Sequence, residues 1–221
     1  MGKLIIFEGL DGSGKGTQAA LTAQKLRQRG VTLRQVTFPD YDSESSALVK
    51  MYLSGRFGQK PDDVNAYAAS CFMRWTVSPA IRRTGGRFTA RAAWCFPTGI
   101  PPPTPCISAP NCRLPSGTGS STGLFDFEYK KIGIPEPDLV LYLAVDPEVS
   151  QKLLETVTTA NESKKDIQEK DREYMARSRA AAEYCARTLG WQRIECTCAG
   201  RAMRPVEEIN AEILAKTDRI L

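Results

Sequence analysis

The sequence predicts a three-layer α/β domain with helices on both sides of a central parallel sheet, and three observations carry that prediction. A short continuous apolar run, Leu4 to Phe7, ends at a glycine-rich turn. A helical pattern from Lys15 to Gln28 follows, then a second strand from Val31 to Phe38. Later, Leu139 to Val145 repeats the buried-strand signature behind Pro137-Asp138. Strand, helix and strand in that order form a βαβ unit, which needs parallel pairing and a crossover connection.

Each further element has its own signal. Ala19, Leu21 and Leu26 lie on one face of the first helix, and Gly30 is its stop. Ser45 to Leu53 and Pro61 to Phe72 read as helices split by Ser54-Gly55. A helix is expected from Pro147 to about Val157, and a long one from Ile167 to Leu189. Trp191 to Cys196 reads as a last strand, and Pro205 to Leu221 as a closing helix with Pro at a tolerated first-turn position. At 221 residues the chain suits one domain, residues 1 to 221.

Composition excludes several classes. No apolar run approaches the ~18–20 residues of a membrane span, and the opening residues read as a strand rather than a signal peptide. The expectation is a cytoplasmic protein with no membrane partner. The seven Cys lack framework spacing and the chain has no His, so free thiols are expected rather than zinc or disulfides. The net charge is +5, but residues 73 to 123 hold six Arg and no Asp, Glu or Lys, and the rest of the chain is therefore −1. Basicity confined to one segment does not indicate a nucleic-acid surface.

The chemistry sits in Gly9-Leu10-Asp11-Gly12-Ser13-Gly14-Lys15-Gly16-Thr17, between the first strand and the first helix. It matches the P-loop pattern G-x-x-x-x-G-K, with Gly16 where Ser or Thr usually stands and Thr17 just after. Glycines let backbone N–H groups turn inward around phosphate oxygens. Lys15 supplies positive charge for the outer phosphates of ATP, and the Thr17 hydroxyl is the candidate for holding Mg²⁺. Asp11 would place a carboxylate beside bound phosphate. It either orients an Arg or the acceptor phosphate, or is simply a solvated loop acid.

From Phe7 through this loop to Gln18 the sequence resembles the opening of thymidylate kinases. Phe38-Pro39, Leu124 to Tyr129, Pro137 to Leu143 and Val145-Asp146-Pro147-Glu148 look like later parts of the same family. The resemblance implies a P-loop nucleoside-monophosphate kinase that transfers the γ-phosphate of ATP to dTMP with Mg²⁺, usually as a homodimer. It implies that Lys15 stabilises the transferred phosphoryl group and that Asp11 positions the acceptor phosphate. Phe38 would contact the base, or else be an ordinary buried aromatic. Residues 158 to 166 fall where the family has its lid over ATP, with Lys164, Lys165 and Arg172 as candidate lid charges or as a solvated basic face. Ala144 stands where an Asp is expected.

Residues 73 to 123 depart from the family altogether. They hold eight of the 14 Pro and six Gly, with no period of 2 or 3.6. The family's Asp-Arg-Phe and Asp-Arg-Tyr motifs, whose Arg residues bear on dTMP, are missing. One reading is a disordered insertion. A second is a displaced reading frame, with one nucleotide lost just before Met73 and one gained near Gly123. Trp75 is TGG and Thr76 is ACN, so the straddling codon is GAC and forces Asp. The next two straddling codons permit Arg and Phe. Trp94-Cys95 forces Val, and the codons from Pro97 to Ile100 permit Asp-Arg-Tyr. The shifted text there reads Gly-Gly-Val-Val-Leu-Ser-Asp-Arg-Tyr. If the central strand is lost, many kcal/mol of burial go with it, against a net stability of ~5–15 kcal/mol. The literal chain is then expected to fold poorly and to have little or no kinase activity. The rivals are another nucleoside-monophosphate or deoxynucleoside kinase, and a nucleotide-binding protein without catalysis.

Overall fold

The computed structural model describes residues 2–65, 68–69, 71–73, 75–76, the backbone of 92–97, 126–133, 135–146, 148–150, 152–153, 167–198 and 202–221. The strands are β1 (Lys3–Glu8), β2 (Thr32–Gln35), β3 (Ala92–Pro97), β4 (Leu139–Ala144) and β5 (Gln192–Glu195). The helices are α1 (Lys15–Gln28), α2 (Ala47–Leu53), α3 (Ile167–Lys170), α4 (Arg172–Thr188) and α5 (Val206–Thr217), with a π-helical turn at Asp126–Ile132.

The sheet order is β2-β3-β1-β4-β5. All four pairings are parallel, as the βαβ pattern requires. Alternation along the central strands sends side chains to two cores. Ile5 and Phe7 of β1 join Leu139, Leu141 and Leu143 of β4 in packing on Ala19 of α1 and on Ile209 and Ile213 of α5. Leu4 and Ile6 join Val140 and Tyr142 in packing on Val49 and Tyr52 of α2 and on Ala181, Ala182 and Cys185 of α4. These are the three layers the sequence predicts. β4 is buried at all six positions, which explains its unbroken apolar run.

Several boundaries differ from expectation. The regular part of the second strand is Thr32–Gln35, with an isolated bridge at Phe38. The Pro61 to Phe72 helix begins as a 3-10 turn, Pro61–Asp63, and Val64 is extended, so the helical path is interrupted there. The long helix from Ile167 breaks at Asp171. Its extended backbone and its carboxylate, accepting from the Tyr174 N–H, make it the N-cap of α4.

The largest correction falls in the aberrant stretch. The sequence shows no strand pattern between 73 and 123, yet β3 lies there and fills the slot between β2 and β1. Its Cα register runs from Lys3↔Ala93 to Phe7↔Pro97 on one side and from Thr32↔Ala92 to Gln35↔Cys95 on the other. Main-chain N–H and C=O groups pair whatever side chains they carry, so an unpatterned sequence can complete a sheet.

Candidate active site

The chain leaves β1 for β2 at one edge of the sheet and leaves β4 for β5 at the other. Sheets wound in this way open a crevice at the carboxyl ends of their middle strands. The glycine loop sits there, directly after Glu8. A cavity of about 590 Å³ lies at the opposite end, against the first residues of β4 and β5, between Tyr129, Asp138, Trp191 and Lys216.

The loop is held by its own backbone and by two neighbours. The Ser13 N–H donates to the Leu10 carbonyl at 3.0 Å, and Gly14, in the left-handed conformation with φ 79°, caps α1. Gly9 cannot carry a side chain, because a Cβ there would meet Ser13 Oγ at 2.5 Å and the Leu143 carbonyl at 3.0 Å. Its N–H donates to the buried Glu8 carboxylate at 3.0 Å. From across the crevice, the Ser150 hydroxyl donates to the Asp11 carbonyl at 2.5 Å and ties the loop to the segment after β4.

Behind the loop, α5 grips α1. The Asn210 amide donates to Gln18 Oε1 at 3.1 Å and to Thr22 Oγ1 at 2.9 Å, while Gln18 Nε2 donates to the Val206 carbonyl at 3.0 Å. All three side-chain-bearing residues are buried. This network fixes the first turn of the helix whose N–H groups face the crevice. Sequence reading missed Ser150, Thr22 and Asn210, because isolated polar residues in helical patterns read as solvent-facing. Gln18 was legible only as part of the loop motif.

Lys15 folds back over the loop. Its Nζ lies 2.7 Å from Asp11 Oδ1 and 3.4 Å from the Leu10 carbonyl. Beside Glu8 in the sheet register is Tyr142, whose phenol is pushed well above its ordinary range, first by burial and then by the Glu183 carboxylate. It stays protonated throughout the physiological range.

The loop fits a phosphate chain on grounds visible in the structure. Gly9 to Thr17 wraps into one α1 amino terminus, and the buried Ser13 Oγ there has no hydrogen-bond partner. Gly16 and Thr17 are exposed in the first turn of α1. Phe38 is 3% exposed and packs with the α2-side core, and Pro39 follows it through a cis peptide bond. Lys164 and Lys165 lie outside the described residues, and only the backbone of Arg172 is described, at the start of α4. Among the described residues no group of three or more His, Cys, Asp or Glu could hold a metal, and no helix is long and apolar enough to cross a membrane.

A parallel α/β sheet with this loop after its central strand defines the P-loop nucleoside-monophosphate kinase fold. The comparisons with known proteins narrow it further. Residues 7–83 match the family model of thymidylate kinase. A putative thymidylate kinase, 251L, of Invertebrate iridescent virus 6 is 31% identical over 81 residues, covering 37% of each chain. The probable thymidylate kinase of Methanothermobacter thermautotrophicus is 47% identical over 58 residues, covering 26% of this chain and 29% of its own. The thymidylate kinase of Danio rerio aligns over all of this chain and 92% of its own at 22% identity. The first two alignments thus span about a third of those relatives. The solved thymidylate kinase of Candida albicans superposes with a TM-score of 0.67, covering 99% of this chain and 92% of that one at 16% identity. The chain is thus similar to thymidylate kinases in its fold and, over residues 7–83, in its sequence.

Proposed function

We propose that this protein derives from an enzyme that phosphorylates dTMP to dTDP with ATP and Mg²⁺. The single observation that carries the reading is the Gly9–Thr17 loop, set at the carboxyl end of β1 within residues that match the family. In that reading the loop N–H groups and Lys15 bind and orient the phosphates of ATP, and the charge of Lys15 offsets the negative charge that builds up during in-line transfer. Thr17 is the candidate hydroxyl for Mg²⁺, which when bound neutralises phosphate charge. Ser150 and Asn210 keep the loop in place for that work. Phe38 and Pro39 line the acceptor side, and Lys164, Lys165 and Arg172 supply lid charge. A cytoplasmic homodimer, for the correctly framed chain, belongs to the same reading.

The reading includes the displaced frame for residues 73 to 123. Two findings support it. The family match ends at residue 83, soon after the proposed displacement. β3 (Ala92–Pro97) occupies the codons whose shifted text is Gly-Gly-Val-Val-Leu-Ser, which puts Val-Val-Leu at the centre of the strand, with Asp-Arg-Tyr next in sequence. The test is the nucleotide sequence, together with the frame-restored protein assayed on a panel of nucleoside monophosphates. Turnover of dTMP above the others is expected. Preference for another acceptor would move the protein to a sister kinase. ATP binding without transfer, from a gene that shows no displacement, would make it a non-catalytic binder.

A further inference from the structure

The ion pair inside the glycine loop has a consequence for nucleotide entry. Lys15 is the loop's counter-charge for phosphate, yet its Nζ is already bonded to Asp11 Oδ1 at 2.7 Å and to the Leu10 carbonyl at 3.4 Å. The Lys15 side chain is 14% exposed and that of Asp11 is 45% exposed, so the pair is half sheltered and opens to the crevice. Asp11 is not a loose surface acid. Its carbonyl is held by Ser150 and the following turn by Leu10 and Ser13, so the carboxylate is presented to Lys15 by a fixed backbone. Lysine is a compact point charge on a flexible stem with three donors, and it can change partner without the backbone moving.

We propose that Asp11 is a built-in competitor for Lys15, so that a polyphosphate must exchange for this carboxylate before Lys15 can serve it. The inference rests on reading Gly9–Thr17 as a phosphate cradle. It gives Asp11 a role before the acceptor arrives, in addition to any contact with the acceptor. This competition sets how tightly the loop holds polyphosphate. Freed from its carboxylate, Lys15 would bind polyphosphate more tightly, by about two- to fivefold for an ion pair of this exposure.

A double-mutant cycle tests this with inorganic tripolyphosphate as probe, measured by calorimetry on the full chain, D11N, K15M and D11N/K15M. The expected result is that D11N tightens binding two- to fivefold when Lys15 is present and has no such effect in the Lys15→Met background. Equal tightening in both backgrounds would mean plain repulsion between Asp11 and the anion, and would overturn the proposal. A ligand-free measurement guards against binding too weak to read. Acetylation of Lys15 by acetic anhydride, followed by peptide mass, should run severalfold faster in D11N, and an unchanged rate also overturns it. Coupling without any dTDP from the frame-restored enzyme would remove the kinase reading and keep the competing carboxylate. Normal turnover without coupling would do the reverse.

Discussion

β1 and β3 are neighbours in the middle of one sheet, and they fill equivalent slots by different means. β1 carries Leu4, Ile5, Ile6 and Phe7, all buried, and feeds both cores. β3 reads Ala-Ala-Trp-Cys-Phe-Pro and ends on a residue with no N–H to give to the ladder. Both strands pair on both sides, because pairing asks only for a backbone. What differs is the sequence, which in β1 is a run of large apolar residues and in β3 begins with two alanines. Backbone complementarity can therefore complete a sheet whose sequence has lost its pattern. Pairing of this kind supplies no side-chain packing of its own.

The largest effect that would break this comparison is on activity. Restoring the frame across residues 73 to 123 should turn a chain with little or no activity into one forming dTDP at ~1–100 s⁻¹. A literal chain already working at such a rate would show that β3 as it stands suffices. Peptide mapping of the natural protein sharpens the point, because Val rather than Cys95 is due in the restored strand. Next in size, Lys15→Ala in the restored enzyme should lower turnover about 10²- to 10³-fold with the thermal midpoint little changed. A loss within tenfold would mean the loop is not where the transferred phosphate is stabilised.

Stability effects are smaller and probe the β1 side of the comparison. Gly9→Ala pushes a methyl into Ser13 and the Leu143 carbonyl, and it should cost about 1–3 kcal/mol in denaturant unfolding. Asn210→Ala removes the donor that serves Gln18 and Thr22 inside the α1–α5 contact, and a similar loss of about 1–3 kcal/mol is expected. No change on either substitution would mean that the loop's support lies elsewhere. The smallest effect concerns Cys196, at the end of β5. Burial, and then the Glu195 carboxylate, push its thiol up to about 12 from an ordinary 9.0. The folded chain keeps a proton that the unfolded chain loses, so this contribution is full below pH 9 and declines as pH rises from there toward 12. Unfolding free energies from urea melts at pH 8 and pH 10 should differ by about 1 kcal/mol from this source, and Cys196→Ala should remove that difference.

Much of the site was legible because its chemistry is local. Nine consecutive residues, Gly9 to Thr17, carry the backbone freedom, the charge and the hydroxyl together, and the flanking apolar run and helix say what they connect. The supports were not legible. Ser150 stands 139 positions from Asp11, and Asn210 stands 192 positions from Gln18, and nothing in their own neighbourhoods marks them as partners. The break at Asp171 was missed for a related reason. An acid inside a charged helical pattern looks exposed until its carboxylate is seen to take the Tyr174 N–H.

By itself, then, the sequence determined the layer order, the parallel sheet and the glycine loop between β1 and α1, since periodicity and short-range turn chemistry are properties of neighbours along the chain. Only the tertiary structure decided which strand lies beside β1, that an unpatterned segment fills that place, and which distant side chains brace the loop and hold Lys15. Those choices depend on backbone groups and buried polar atoms finding partners across the fold, and such partners have no fixed spacing in sequence.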